Sequence, residues 1–306
     1  MGRHLTHNYE RDGIDRRGFL ECMAWAGTGV LWTFAGGVPV SRRLGEASPA
    51  GLRFVQISDS HIGFNRDANP HVTATLQAAI DRINHLPTPP AFLIHTGDIT
   101  HLSKPAEFDT ADSMLQRVRT DARFFVPGEH DTTGKEYLAR YGKKTAGDGW
   151  YSFDHSGVHF VGLVNTTGSL GVEQIEWMEK DLEPLSASTP VVVFAHIPLW
   201  AVYPEWGWTT KDSAQALGYL RRFGSVTVLN GHVHQTMQKV EGNITFHTAC
   251  STALPQPKPG ARAGPGPMKV PVDDLWKMLG LTGVRYVEGS HALALTDETL
   301  QEPTAP

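Results

Sequence analysis

The sequence predicts a layered α/β fold that gathers its polar chemistry along one edge of its strands. Two observations carry this. Short apolar runs alternate with segments of amphipathic, helical spacing. Five of those runs also stop at a turn that is followed at once by His, Asp or Glu. Run 54–58 leads to Asp59-Ser60-His61, run 91–96 to Gly97-Asp98, and run 124–126 through Pro127 to Gly128-Glu129-His130-Asp131. Run 191–195 leads to His196, and run 226–230 to Gly231-His232-Val233-His234. Strands of a layered α/β fold place their ends along one edge, so five such ends can converge on one site.

Residues 1–50 do not read as fold. A polar start reaches Asp15-Arg16-Arg17-Gly18-Phe19-Leu20, and a weakly apolar, Gly- and Ala-rich stretch follows over about 23–38. The combination resembles a twin-arginine export signal and linker. It implies a periplasmic or exported protein that meets the twin-arginine translocase already folded. An uncleaved N-terminal membrane anchor is the alternative.

The expected domain runs over 51–250. After strand 54–58, Val72, Leu76, Ile80 and Ile83 fall on one helical face, and Pro87-Thr88-Pro89-Pro90 ends that helix. Strand 91–96 comes next. Pro105 opens a second helix, with Phe108, Ala111, Leu115 and Val118 on one side. Strand 123–126 precedes a short helix near 135–141. Segments 150–154 and 158–165 flank His155-Ser156-Gly157 and predict a hairpin. A helix over 171–185 turns Val172, Ile175, Met178 and Leu182 inward. Strand 191–195 is followed by a helix that runs to Phe223, with Asp212 as its expected N-cap. Strands 226–229 and 244–249 complete the alternation, which predicts a largely parallel sheet. From Ser251 onward Pro255, Pro257, Pro259, Pro265, Pro267 and Pro271 punctuate an irregular stretch. Residues 251–306 are therefore expected as a Pro-rich extension packed on the same domain, with a short helix at 274–279 and a last strand or tail at 292–296.

The 306 residues are enough for one large core, and 40% hydrophobic with 19% charged residues fits a globular chain. A formal net charge of −5 leaves no basic surplus to neutralise phosphates, so a nucleic-acid-binding surface is not expected. The 15 His direct attention to metal chemistry. Of the two Cys, Cys22 lies in the leader, and Cys250 reads as a small buried residue at a strand end.

Each motif is weak alone. Together and in order, Asp59-x-His61, Gly97-Asp98, Gly128-Glu129-His130-Asp131, His196 and Gly231-His232-x-His234 resemble the calcineurin-like metallophosphoesterase superfamily over about residues 52–249. The likeness is to its compact bacterial phosphodiesterase branch. It implies a four-layer αββα sandwich with two metal ions, Fe, Mn or Zn, at the strand ends, acting on a small phosphoester. Two ions about 3.5–4 Å apart clamp a phosphoryl group and share a hydroxide that is nucleophilic near neutral pH. Carried over residue by residue, Asp59, His61 and His234 match ligands of the first metal, Asp98 the bridge, and His196 and His232 ligands of the second. His130 matches the His that stabilises the transition state or protonates the leaving oxygen, and Asp131 the acid that orients it.

Glu129 departs from the pattern, which has a metal-ligating Asn there. With two divalent ions, a hydroxide and the carboxylates of Asp59, Asp98 and Glu129, the cluster charge sums to about zero; Asn would leave it about one unit positive. Three readings follow: a preference for phosphodiesters, whose single charge needs less attraction; a trivalent iron in the site; or a metal-binding protein that has lost turnover. A broad phosphomonoesterase is the alternative activity.

His101, at the spacing where purple acid phosphatases carry an iron-ligating Tyr, reads as a solvent-facing residue, with ligation as the alternative. Trp200, Tyr203 and Trp206, in the loop after His196, are candidates for a substrate-binding wall beside Trp208. The Pro-rich stretch either forms another wall or wraps the surface. His95 reads as a core His with its hydrogen bonds satisfied.

Overall fold

The structure, a computed structural model, describes residues 30–35, 38–43, 51–287 and 293–301. The chain divides into two compact units, Met1–Gly51 and Leu52–Pro306. In the first, β1 (Val30–Ala35) and β2 (Val38–Arg43) pair as an antiparallel ribbon, with Val30 opposite Arg43. Arg16 and Arg17, on which the export reading rests, lie outside the described residues. Among the described residues no helix is long and apolar enough to cross a membrane.

The second unit is built on two mixed sheets. One contains β3 (Gly51–Ile57), β4 (Phe92–His95), β5 (Ala122–Phe125), β12 (Gly280–Val287) and β13 (Ala294–Thr299), in the order β13-β12-β3-β4-β5. The other contains β6 (Tyr151–His155), β7 (Val158–Gly162), β8 (Val191–Phe194), β9 (Val226–Asn230), β10 (Met237–Glu241) and β11 (Ile244–Thr248), in the order β10-β11-β9-β8-β7-β6. The strands that end in the motifs are parallel to their neighbours: β3 with β4, β4 with β5, and β8 with β9. The antiparallel pairs lie at the sheet margins, β6 with β7, β10 with β11 and β12 with β13. The expectation of a largely parallel sheet is corrected to two mixed sheets with parallel centres.

The side-chain period of two builds the layers. On β3, Val55 and Ile57 join one apolar cluster with Leu76, Ile80 and Ile83 of α1 (Val72–Asn84) and Phe108, Ala111 and Leu115 of α2 (Pro105–Leu115). Phe54, on the opposite face of β3, meets Phe92, Phe160, Val192, Phe194 and Leu229 in a second cluster drawn from both sheets. On β8, Val191 and Val193 face a third cluster, with Ile175 and Met178 of α4 (Val172–Leu182) and Ala216 and Leu220 of α5 (Ser213–Leu220). Each central strand is thus buried on both faces, which is why it reads as an unbroken apolar run. The order is helices, sheet, sheet, helices: the expected four layers.

A short helix α3 (Glu136–Tyr141) follows the 129–131 turn. At the β6–β7 hairpin, Ser156 and Gly157 both adopt positive φ, 50° and 76°, as a tight two-residue turn requires. Asp212 does not cap its own helix. Its carboxylate accepts from the Leu170 and Gly171 amides where α4 begins, at 2.8 Å from each. Past the Pro-rich stretch, α6 (Val272–Met278) leads into β12. This strand lies inside the sheet between β13 and β3, and its Leu281, Val284 and Tyr286 are buried.

Candidate metal centre

The site forms where the chain leaves the carboxyl ends of β3, β4, β5, β8 and β9. The residues there are backbone outliers. Asp59, His61, Asp98, His232 and His234 have φ of 53°, 40°, 52°, 69° and 55°, a left-handed region that costs non-glycine residues on the order of 1 kcal/mol each. Such a conformation bends the chain sharply, so residues two apart can serve one site. Gly97 (φ 93°) lets the β4 end approach its neighbours: a Cβ there would sit 2.6 Å from the Gly128 amide nitrogen and 2.7 Å from His196 Nδ1. At Gly128 a Cβ would overlap the Asp98 carboxylate.

Two donor groups result. Asp59, His61 and His234 form one: His234 Nε2 lies 3.2 Å from Asp59 Oδ1 and 3.3 Å from His61 Nε2. Glu129, His196 and His232 form the other: Glu129 Oε2 is 3.1 Å from His196 Nε2, and Oε1 is 2.9 Å from His232 Nδ1. In each, the ligand atoms lie within 4.8 Å of one another, close enough to hold a metal ion. Asp98 stands between them, with Oδ2 3.6 Å from His61 Nε2 and 3.3 Å from His196 Nε2. Its other oxygen accepts the His130 amide at 3.0 Å, so one oxygen faces both groups.

The hydrogen bonds behind these donors test whether metal fits. His234 Nδ1 donates to the Leu254 carbonyl at 2.6 Å, and His196 Nδ1 to the Thr96 carbonyl at 2.7 Å. A carbonyl only accepts, so in each neutral ring the lone pair is on Nε2 and faces the site. Imidazole lone pairs and three carboxylates then point at one another, and only a cation or added protons relieves that. Burial opposes a proton on His196, but Asp98 and Glu129 outweigh it and hold its pKa well above the usual value. His234 is raised in the same way by Asp59. His61 is the exception, since burial takes it down to about 3. Burial pushes the carboxyls of Asp59, Asp98 and Glu129 up, and the surrounding imidazoles more than reverse this, so all three stay ionised. A mixed imidazole and carboxylate set of this kind fits divalent transition metals.

His130 lies beside the centre, its ring 4.8 Å from that of His61. Its Nδ1 donates to the His101 carbonyl at 2.7 Å, which leaves Nε2 for the cavity. Asp131 does not orient His130, contrary to expectation. Its buried carboxylate accepts from the amides of Ile99, Thr100 and Gly128 and from the Thr100 hydroxyl, at 2.8–3.0 Å. It ties the β5 turn to the β4 turn, because four donors already fill its lone pairs.

A cavity of about 360 Å³ opens over the donors. Phe64, Arg66, His101, Trp206, Trp208, Leu254 and Gln256 line it, with Pro265–Pro267 of the Pro-rich stretch. Gln256 explains that wall: it donates to the His232 carbonyl and accepts the Gly266 amide, both at 3.0 Å. The aromatic loop divides. Trp206 lines the cavity, Tyr203 packs behind it, and Trp200 is core, set against Phe246. Trp200 and Tyr203 are therefore removed from the substrate wall, and the buried Trp208 backs Trp206. His101 is partly exposed and lines the cavity, and with His61 and His130 it offers ligand atoms within 4.8 Å of one another, in keeping with the alternative of ligation. Its ring stacks on His130 with centroids 5.0 Å apart, and only the Asp98-x-x-His101 spacing could have signalled this. His95 is a satisfied core His, bonded to Ser60 at 2.8 Å and held near 4 by burial.

The fold is shared with solved structures. A dimetal phosphatase from Danio rerio is 14% identical, with a TM-score of 0.62; the match covers 83% of this chain and 98% of that one. A purple acid phosphatase from yellow lupin (Lupinus luteus) seeds is also 14% identical, with a TM-score of 0.61, over 83% of this chain and 52% of that one. No curated protein sequence matches. The sequence model for calcineurin-like phosphoesterase matches residues 52–236, a span that holds Asp59, Asp98, Glu129, His196 and His234, and the chain belongs to that family.

Proposed function

We propose that this metal-dependent phosphoesterase is an exported enzyme with two metal ions that prefers phosphodiesters. Glu129 is the observation that supports the preference. Its carboxylate spans the two imidazoles of the second donor group, so it occupies a ligand position and adds a third negative charge. A phosphodiester carries one negative charge and a monoester two, so the added charge disfavours the monoester more.

Two ions held by these residues would supply positive charge to the phosphoryl oxygens and lower the pKa of a water. The chain's own groups then act as follows. Asp98, through one oxygen, sets the spacing of the two donor groups. A water that has given one proton to solvent bonds through its oxygen to phosphorus, in line with the departing ester oxygen, and the P–O bond to that oxygen breaks. His130 is held by the His101 carbonyl, and its cationic form carries the Nε2 proton that the departing oxygen takes. Arg66 lines the cavity, makes no ion pair among the described residues, and can meet a non-bridging oxygen.

The test is turnover of bis-p-nitrophenyl phosphate beside p-nitrophenyl phosphate, with added Mn or Fe. The diester is expected to be the better substrate, and Glu129→Asn is expected to raise monoester turnover relative to diester by about tenfold. Monoester preference in the wild type, or a variant with an unchanged ratio, would overturn the charge argument. Export through the twin-arginine translocase is tested by the Arg16→Lys, Arg17→Lys double variant, expected to stay in the cytoplasm; a variant still exported would exclude that route.

A further inference from the structure

The cavity is larger than a phosphoryl group needs, and at about 360 Å³ it falls in the range of small-molecule sites. Its lining mixes two chemistries. Donor groups and apolar side chains line the same cavity. Phe64, Trp206, Leu254, Pro265 and Pro267 supply its apolar surface.

Trp206 is the fixed part of that wall. It ends the 3-10 turn Pro204–Trp206, and Gly207 follows with φ 73°, which turns the chain back. Tyr203 and Trp208 meet the indole nearly edge-on, with centroids 5.1 and 5.0 Å away and planes at 78° and 89°. Trp208 is itself 1% exposed, so the buttress is buried. Backbone bonds from the Val202 and Tyr203 amides to the Trp208 carbonyl close the loop. Trp206 itself is only partly buried and lines the cavity. A partly exposed indole held rigid beside a phosphoryl site presents a surface for a flat ring at little ordering cost.

We infer that Trp206 selects phosphodiesters whose non-leaving ester group is a planar aromatic ring, an aryl or heteroaryl alcohol, over those with a small alkyl group. The inference rests on the diesterase reading and adds the chemical class of the second ester arm. The ring lies on Trp206, while the phosphoryl group stays over the donors. Arg66 serves the phosphoryl end and does not distinguish the two arms.

The test holds the leaving group constant. Phenyl p-nitrophenyl phosphate and methyl p-nitrophenyl phosphate both release p-nitrophenolate from the metal-loaded protein. The phenyl ester is expected to have about tenfold higher kcat/KM. Trp206→Leu is expected to bring the ratio close to one, Trp206→Phe to keep most of it, and Arg66→Ala to lower both substrates in step. Equal values for the two esters in the wild type, or an unchanged ratio in Trp206→Leu, would overturn the inference and leave the diesterase reading standing. If neither diester is hydrolysed while a monoester is, the diesterase reading fails. Tryptophan fluorescence on titration with phenylphosphonate and methylphosphonate then still decides the stacking. Tighter binding of the phenyl compound, lost in Trp206→Leu, supports it, and equal binding sinks it.

Discussion

Asp98 and Asp131 are both buried carboxylates with different work. Asp98 gives one oxygen to a backbone amide and leaves the other facing two imidazoles. Asp131 gives both oxygens to backbone and hydroxyl donors. Burial, with Asp98 adding to it, pushes the Asp131 carboxyl up to about 7, against the pull of those amides. An Asp131→Ala change would leave the buried amides of Ile99, Thr100 and Gly128 without acceptors, at roughly 1–3 kcal/mol each before any relaxation. Urea unfolding of the metal-free protein is expected to show a loss of about 3 kcal/mol or more. A loss below about 1 kcal/mol would mean that water takes over the carboxylate's bonds. The identity of the donors was legible in the sequence because each follows an apolar run. The task of Asp131 was not, because Glu129-His130-Asp131 lists neighbours in the chain and the partners of Asp131 come from the β4 turn.

At the scale of elements, local signals placed most helices and strands within a few residues. The helix α2 begins at Pro105 as predicted, and Val72, Leu76, Ile80 and Ile83 share the buried face of α1. The strands β10 and β12 carry no local signal. Four of the five residues of β10 are exposed, and it carries Lys239 and Glu241, so it shows no apolar run. β12 follows a Pro-rich stretch and holds two glycines, and its neighbour on one side, β3, is distant in the chain. Asp212 differs from its expected capping role for a related reason: capping signals run along the chain, and its acceptor role lies across it.

One junction between elements has a pH signature. His159 on β7 contacts Asp154 at 2.8 Å and Asp181 of α4 at 2.9 Å. Burial lowers its pKa, and both carboxylates outweigh that and raise it. A raised folded value means that the stabilisation is complete below the unfolded value of about 6.5 and fades as pH rises through the folded value. His159→Gln is therefore expected to cost more stability at pH 6 than at pH 9 in urea unfolding. An equal cost at both would mean that the imidazole is neutral throughout.

For the whole molecule, the two sheets are held in register by more than apolar contact. Gln56 of β3 donates to Thr96 beside it and to the Asn230 carbonyl of the opposite sheet, at 2.9 and 3.0 Å. Ser251, past β11, donates to the Asp59 carbonyl at 2.7 Å. These bonds join the strand ends that carry the two donor groups, so the sandwich and the metal centre are one construction. The most direct measurement is a crystal structure of metal-loaded protein with anomalous scattering recorded at the edge of the added metal. Two peaks are expected about 3.5–4 Å apart, one among Asp59, His61 and His234 and the other among Glu129, His196 and His232, with Asp98 between them. A single peak, or two peaks with Glu129 turned away from both, would contradict the account.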